Sequence, residues 1–163
     1  MMETSKQLHP GLWDTINERY PGSMITKDDY VPLAKLGKPV AESRLAFVSS
    51  AGVQPKGTLP FDVAHPVGDY NFRRVPSSSE PSELEIHQLK YPTVGANRDR
   101  NVILPIERLQ ELAREGVIGG LTPNFYSFIG YNMDPERLER TLAEEIAEAV
   151  ADDGTEIALL APA

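Results

Sequence analysis

In the last third of the chain, two short apolar runs flank one well-marked helix, and that order constrains the fold more than any other feature. Asp134 is a natural N-cap, Pro135 suits the first helical turn, and Glu136 complements the positive end of the helix dipole. Leu138, Leu142, Ile146, Ala149 and Val150 line one face, and Gly154 supplies a left-handed stop. Val117 to Leu121 precedes this helix and Thr155 to Ala161 follows it, both short and apolar. Strand, helix, strand in this order predicts a right-handed crossover and therefore parallel strands. The expected fold is α/β, a three-layer sandwich on a mostly parallel sheet.

Upstream, Arg44 to Ser50 reads as a buried strand, and Ser49-Ser50-Ala51-Gly52 places small residues at its carboxyl end. In open α/β sheets that edge is where ligands bind, although a run of this kind also serves as a plain tight turn. Residues 1–43 read as a helical or irregular arm, with Leu12, Trp13, Ile16 and Tyr20 at helical spacing, and residues 44–163 as the α/β domain. Val53 to Ser82 is rich in proline and glycine and shows no periodicity, so an ordered loop on the sheet's rim is expected. Within it, Arg73 or Arg74 offers a planar fork for a carboxylate, against the simpler reading of a surface ion pair.

Leu84 to Tyr91 alternates apolar and polar residues and reads as a strand, with His87 on the face of Glu85. Thr93 to Asn101 is turn-rich; its oxygen side chains at alternate positions lack the glycine and glutamate of a calcium loop. Pro105 opens a second helix, with Ile106, Leu109, Leu112 and Ala113 on one face and Gly116 as its stop. Thr122 to Tyr131 is expected to be a loop carrying Asn124, Tyr126 and Tyr131.

Composition narrows the function. The net charge of −8, from 16 basic and 24 acidic residues, is the wrong sign for gripping phosphate backbones, so no nucleic-acid partner is expected. No apolar run is long enough to span a bilayer and no signal peptide is recognisable, so the expectation is no membrane partner and a cytoplasmic place. There is no cysteine, which excludes a disulfide framework, a thiolate metal site and thiol catalysis by these 163 residues. With only His9, His65 and His87, no metal site and no cofactor is expected.

Several pieces, taken in order, carry a resemblance. They are Val48-Ser49-Ser50-Ala51-Gly52-Val53, Pro60-Phe61-Asp62, Gly68-Asp69 with Phe72-Arg73 and Val75-Pro76, then His87 and Tyr91. Asp99-Arg100-Asn101-Val102-Ile103-Leu104-Pro105 with Arg108-Leu109, Glu111-Leu112 and Glu115 to Gly119 follows, and Phe128-Ile129-Gly130-Tyr131 completes them. From Arg44 to Ala163 the sequence resembles the selenoprotein B family of glycine, sarcosine, betaine and D-proline reductases. The resemblance implies an oxidoreductase that cleaves a C–N bond in an amino acid or amine through a selenocysteine, or a cysteine in its place. That residue is expected in a Sec/Cys-x-x-Cys segment just after the last strand, one step beyond Ala163. Selenocysteine is encoded by UGA, so the chain reads as a selenoprotein truncated there, and this polypeptide alone is expected to be inactive.

The resemblance further implies a small amino-acid-like or amine substrate. Its implied protein partners are a thioredoxin-type electron donor or a pyruvoyl-containing reductase subunit; the N-terminal arm separately reads as wrapping the core or as a contact with a second copy of the chain. At the rim, Arg73 is expected to clamp a carboxylate and Gly52 to border the substrate, with Ser49, Ser50, His87, Asn124 and Tyr126 orienting or protonating it. The competing readings are a non-catalytic small-molecule-binding module or inactive paralogue complete at Ala163, and a structural subunit assembling through its arm.

Overall fold

The structure is a computed structural model and describes residues 11–19, 21 and 34–163. It forms two units, Met1–Lys35 and Leu36–Ala163. In the first, α1 (Leu12–Arg19) is described through its backbone, and the Thr15 hydroxyl donates to Gly11 O at 2.8 Å. The side chains of the expected stripe, Leu12, Trp13, Ile16 and Tyr20, lie outside the described residues.

In the second unit β1 (Arg44–Ser49) is the centre of the sheet, and only Arg44 in it is exposed. On one edge it pairs in parallel with β7 (Ile157–Ala161), from Leu45↔Ile157 to Ser49↔Ala161. Its other edge pairs in parallel first with β5 (Gly120–Leu121) and then with β6 (Asn124–Phe128). The register moves by two residues between them, at Thr122 and Pro123, because a proline has no N–H to give the ladder. β3 (Phe72–Pro76) runs antiparallel on the far edge of β6. The fold is therefore α/β with a mostly parallel sheet.

Alternation along β1 sends Leu45 and Phe47 to one face and Ala46 and Val48 to the other. The first face packs on Ile106 and Leu109 of α3 (Ile106–Arg114), and Phe47 meets Phe125 edge to face at 6.0 Å between ring centres. The second packs on Leu142, Ile146 and Ala149. These belong to a helix begun by α4 (Pro135–Arg137), continued by a π-helical turn (Leu138–Leu142), and finished by α5 (Ala143–Asp152). As expected, the Asp134 side chain caps it, accepting from Arg137 N at 3.0 Å, and Gly154 ends it at φ +68°. Leu160 of β7 is 70% exposed and edges an apolar groove of about 340 Å³ that Val48, Leu142, Ile146 and Ala158 also line.

The structure corrects several local expectations. Thr122 to Tyr131 is not a loop: past the Pro123 interruption the chain resumes as β6, whose Phe125 and Tyr126 are fully buried. Val117 and Ile118 close α3 instead of starting a strand, their N–H groups directed at Leu112 O. The expected loop from Val53 to Ser82 contains β2 (Val53–Pro55) and β3. The expected strand Leu84 to Tyr91 is only β4 (Leu84–Ile86), paired with β2 in a separate antiparallel ribbon. It stops because Gln88 Oε1 accepts from the N–H groups of Leu89 and Lys90, both at 2.9 Å, and folds the backbone into a turn. The turn-rich stretch from Thr93 contains α2 (Val94–Arg98), and Pro105 caps α3 without entering it.

Candidate functional site

The carboxyl ends of β1, β6 and β7 lie side by side, so the rim of the sheet is built from Ser49, Ser50, Ser127, Phe128 and Ala161. The Ser49 hydroxyl donates to Ile103 O at 3.2 Å, which ties β1 to the turn before α3. The Ser50 hydroxyl accepts from Ala163 N at 3.0 Å, and Ser50 O accepts from Gly130 N at 3.1 Å. Gly130 is packed so closely that a Cβ there would lie 3.0 Å from Ser50 Cβ. Small side chains are what allow these three chain ends to meet.

Gly52 has φ +65°, and a Cβ on it would stand 2.4 Å from His87 O and 2.5 Å from Ile129 Cδ1. Its N–H donates to Phe128 O at 2.9 Å, and its carbonyl accepts from His87 N at 2.8 Å. The Tyr91 hydroxyl donates to Ala51 O at 2.9 Å, and Val53 N donates to the Ser127 hydroxyl at 2.9 Å. Ser49, Ser50, Gly52 and His87 are thus brought together on one rim. His87 Nε2 lies 3.1 Å from Glu85 Oε1 without hydrogen-bond alignment, and it has no other partner. Glu85 Oε1 also accepts from the buried Gln54 amide at 3.2 Å, whose own Oε1 has no donor.

Of the remaining expected site residues, Arg73 stands opposite the rim residue Ser127 in the β3–β6 ladder with its guanidinium engaged, and Asn124 and Tyr126 lie away from the rim. Arg73 sits on β3, its Nε donating to Leu59 O, its Nη2 to Pro60 O and its Nη1 to Phe72 O, at 3.0, 3.3 and 3.1 Å. With its guanidinium 4.3 Å from the Phe61 ring centre, it pins the 59–61 loop. Asn124 and Tyr126 close on the end of α5: Asn124 Nδ2 donates to Asp153 Oδ2 at 2.9 Å, and the Tyr126 hydroxyl is 2.6 Å from the same oxygen. Sequence reasoning passed over Tyr91, whose hydroxyl holds Ala51 O at the end of β1, and Arg100, which opens the turn leading to the Ile103 carbonyl that receives the Ser49 hydroxyl. Their signal lay in a turn-rich segment, where residue type alone does not show which way the chain folds back.

Charge near the rim is organised by Asp69. Burial pushes its carboxyl up, but donors from Asp62 N, Asn71 N and Asn71 Nδ2, together with the Arg73 charge, outweigh this and hold it below the ordinary value. Among the described residues, no group of three or more histidine or acidic side chains could hold a metal ion. No helix among them is long and apolar enough to cross a membrane.

A mostly parallel sheet with small residues at the carboxyl ends of its central strands defines an α/β domain. The chain belongs to the glycine/sarcosine/betaine reductase selenoprotein B family, whose model matches residues 17–162. It is 28% identical over 137 residues to the D-proline reductase subunit gamma of Acetoanaerobium sticklandii, covering 80% of this chain and 55% of that one. It is 32% identical over 123 residues to the glycine reductase complex component B subunit gamma of Symbiobacterium thermophilum, covering 74% of this chain and 28% of that one. The sarcosine reductase complex component B subunit beta of Peptoclostridium acidaminophilum is 26% identical over 135 residues, covering 81% of this chain and 30% of its own length. The chain therefore spans about half the length of the first relative and under a third of the other two. No solved structure matches it.

Proposed function

We propose that this chain is the substrate-holding part of a selenol- or thiol-dependent amino-acid reductase that cleaves a C–N bond reductively. The observation that carries the reading is the family match over residues 17–162, on a fold that brings Ser49, Ser50 and Gly52 to the carboxyl end of the central strand. Such a cleavage consumes two electrons and two protons: the C–N bond becomes C–H and N–H while a selenol–thiol or dithiol pair is oxidised. With no cysteine in the 163 residues, the reactive selenium or sulfur comes from outside them. A selenol ionises below a free thiol's pKa of about 8.5, so it attacks at neutral pH without a dedicated base.

In this reading Ser49, Ser50 and Gly52 line the substrate's seat, and His87, with Glu85 beside it, supplies or takes a proton. The reactive segment follows β7, whose exposed Leu160 and adjoining apolar groove suit coverage by further polypeptide. A thioredoxin-type donor supplies the two electrons, and a pyruvoyl-containing subunit is the further partner, in the cytoplasm. Genomic DNA beyond the Ala163 codon tests this: an in-frame UGA followed by cysteine codons is expected, and TAA or TAG with no downstream frame would refute it. Substrate reduction by the 163-residue polypeptide alone would equally refute the placement of the reactive group. The absent cysteine favours one second reading, a non-catalytic module that holds a small carboxylated ligand at the same rim.

A further inference from the structure

We infer that Arg100 is the carboxylate-holding residue of this rim, presenting the Nε–Nη2 edge of its guanidinium to a small amino-acid-like ligand. The inference rests on the proposed function for the identity of the ligand and on geometry for the site.

Arg100 opens the turn Arg100–Val102, which the Asp99 side chain caps by accepting from Asn101 N at 2.9 Å. One end of the guanidinium is fixed: Nη1 donates to Ala96 O at 2.6 Å and to Asn97 Oδ1 at 2.9 Å. The other edge is free. Its Nε is buried without any hydrogen-bond partner, and no carboxylate lies within ion-pair distance of Arg100 among the described residues. Nε–H and Nη2–H point in parallel from that edge, the spacing that a carboxylate's two oxygens accept.

No other arginine near the sheet combines these features. Arg73 already donates to three backbone carbonyls, and Arg108 pairs with Glu111 at 2.7 Å. Arg74 and Arg137 stack over the Phe72 and Tyr70 rings. A buried donor without an acceptor is a standing cost that an incoming oxygen relieves, whereas a satisfied one gains little.

The turn that carries Arg100 adjoins the rim. Arg100 O accepts from Ile103 N and Leu104 N at 3.1 and 2.9 Å, and Ile103 O in turn receives the Ser49 hydroxyl. On the other side, Tyr91 holds Ala51 O; burial pushes its phenol up, and the Arg100 charge opposes that shift. Glycine, sarcosine, betaine and D-proline differ at nitrogen (primary, secondary and quaternary) and share a carboxylate. A fixed arginine fork recognises that shared group and tolerates the variable one.

The test is a ¹⁵N–¹H spectrum of arginine Nε–H groups in the 163-residue chain, titrated with acetate, D-proline, betaine and D-prolinamide. Acetate, D-proline and betaine are expected to shift the Arg100 resonance, and D-prolinamide to leave it in place. R100K keeps the charge and loses the fork, so it should bind the carboxylates ~10- to 100-fold more weakly. R98Q, at an exposed neighbour, should bind them normally. If no carboxylate moves the Arg100 resonance, or D-prolinamide moves it equally, the inference fails, whatever the downstream DNA encodes. If acetate moves it and the amino acids do not, the fork stands and the amino-acid reductase reading falls. Because the spectrum uses the unmutated chain, misfolding of R100K cannot decide the outcome.

Discussion

The Tyr126 hydroxyl, at the centre of the sheet, lies 2.6 Å from Asp153 Oδ2, one residue past the end of α5. The same hydroxyl is 2.6 Å from Ala149 O, and Asn124 supplies a second donor to the carboxylate. Burial and the neighbouring Asp153 charge both raise the phenol's pKa. For Asp153, burial pushes the carboxyl up, but the Tyr126 and Asn124 donors and the Arg74 charge outweigh it and lower the pKa. Tyr126→Phe removes the one hydroxyl proton that the Asp153 carboxylate and the Ala149 carbonyl share. It should cost about 1–3 kcal/mol in urea unfolding with an unchanged m-value. A loss under 0.5 kcal/mol would mean that water replaces the hydroxyl.

Two glycines with left-handed backbones separate conformational strain from crowding. At Gly57, φ is +79° with nothing within 4 Å of a Cβ, so Gly57→Ala should cost only the backbone strain, about 1 kcal/mol. Gly52→Ala adds a clash with the His87 carbonyl, which is backbone and cannot rotate away. It should exceed ~2 kcal/mol and lower Tm by several degrees more than Gly57→Ala. Equal losses at the two positions would show that the rim yields.

Acid sensitivity follows from Asp69, whose folded pKa is depressed below its ordinary 3.8. Its contribution is fully present above the unfolded value and is lost as pH falls through the folded one. Asp69→Asn should therefore be less stable than the parent at neutral pH. The gap should close as pH drops below the ordinary carboxylate range, which urea midpoints from pH 7 down to 3 would follow. A constant gap over that range would assign the stabilisation to shape instead of charge.

Asn101 and Glu107 cap α3 reciprocally: Asn101 Nδ2 donates to Glu107 Oε2 at 2.6 Å, and Glu107 N donates to Asn101 Oδ1 at 3.2 Å. Asn101→Ala should cost about 1 kcal/mol and loosen the turn that carries Arg100. Faster amide exchange at Ile103 and Leu104, with the β1 amides unchanged, is the expected mark.

The sequence by itself determined the elements whose physics is local. β1 is a short apolar run, α3 and the Asp134–Gly154 helix carry amphipathic stripes with caps and stops, and their order compels parallel strands. It also placed Ser49, Ser50 and Gly52 at a strand's carboxyl end, where the structure puts them. Tertiary structure decided what depends on distant partners. Asn124–Phe128 becomes a strand because β1 and β3 supply both of its ladders, overriding the loop signals around Pro123. Leu84–Tyr91 loses most of its strand because only β2 offers a partner, and only for three residues. The same holds for charged side chains: nothing in residue type distinguishes Arg73 from Arg100. Which fork is consumed by backbone carbonyls and which keeps a free edge depends on the chain that folds against each, a contact that no local pattern encodes.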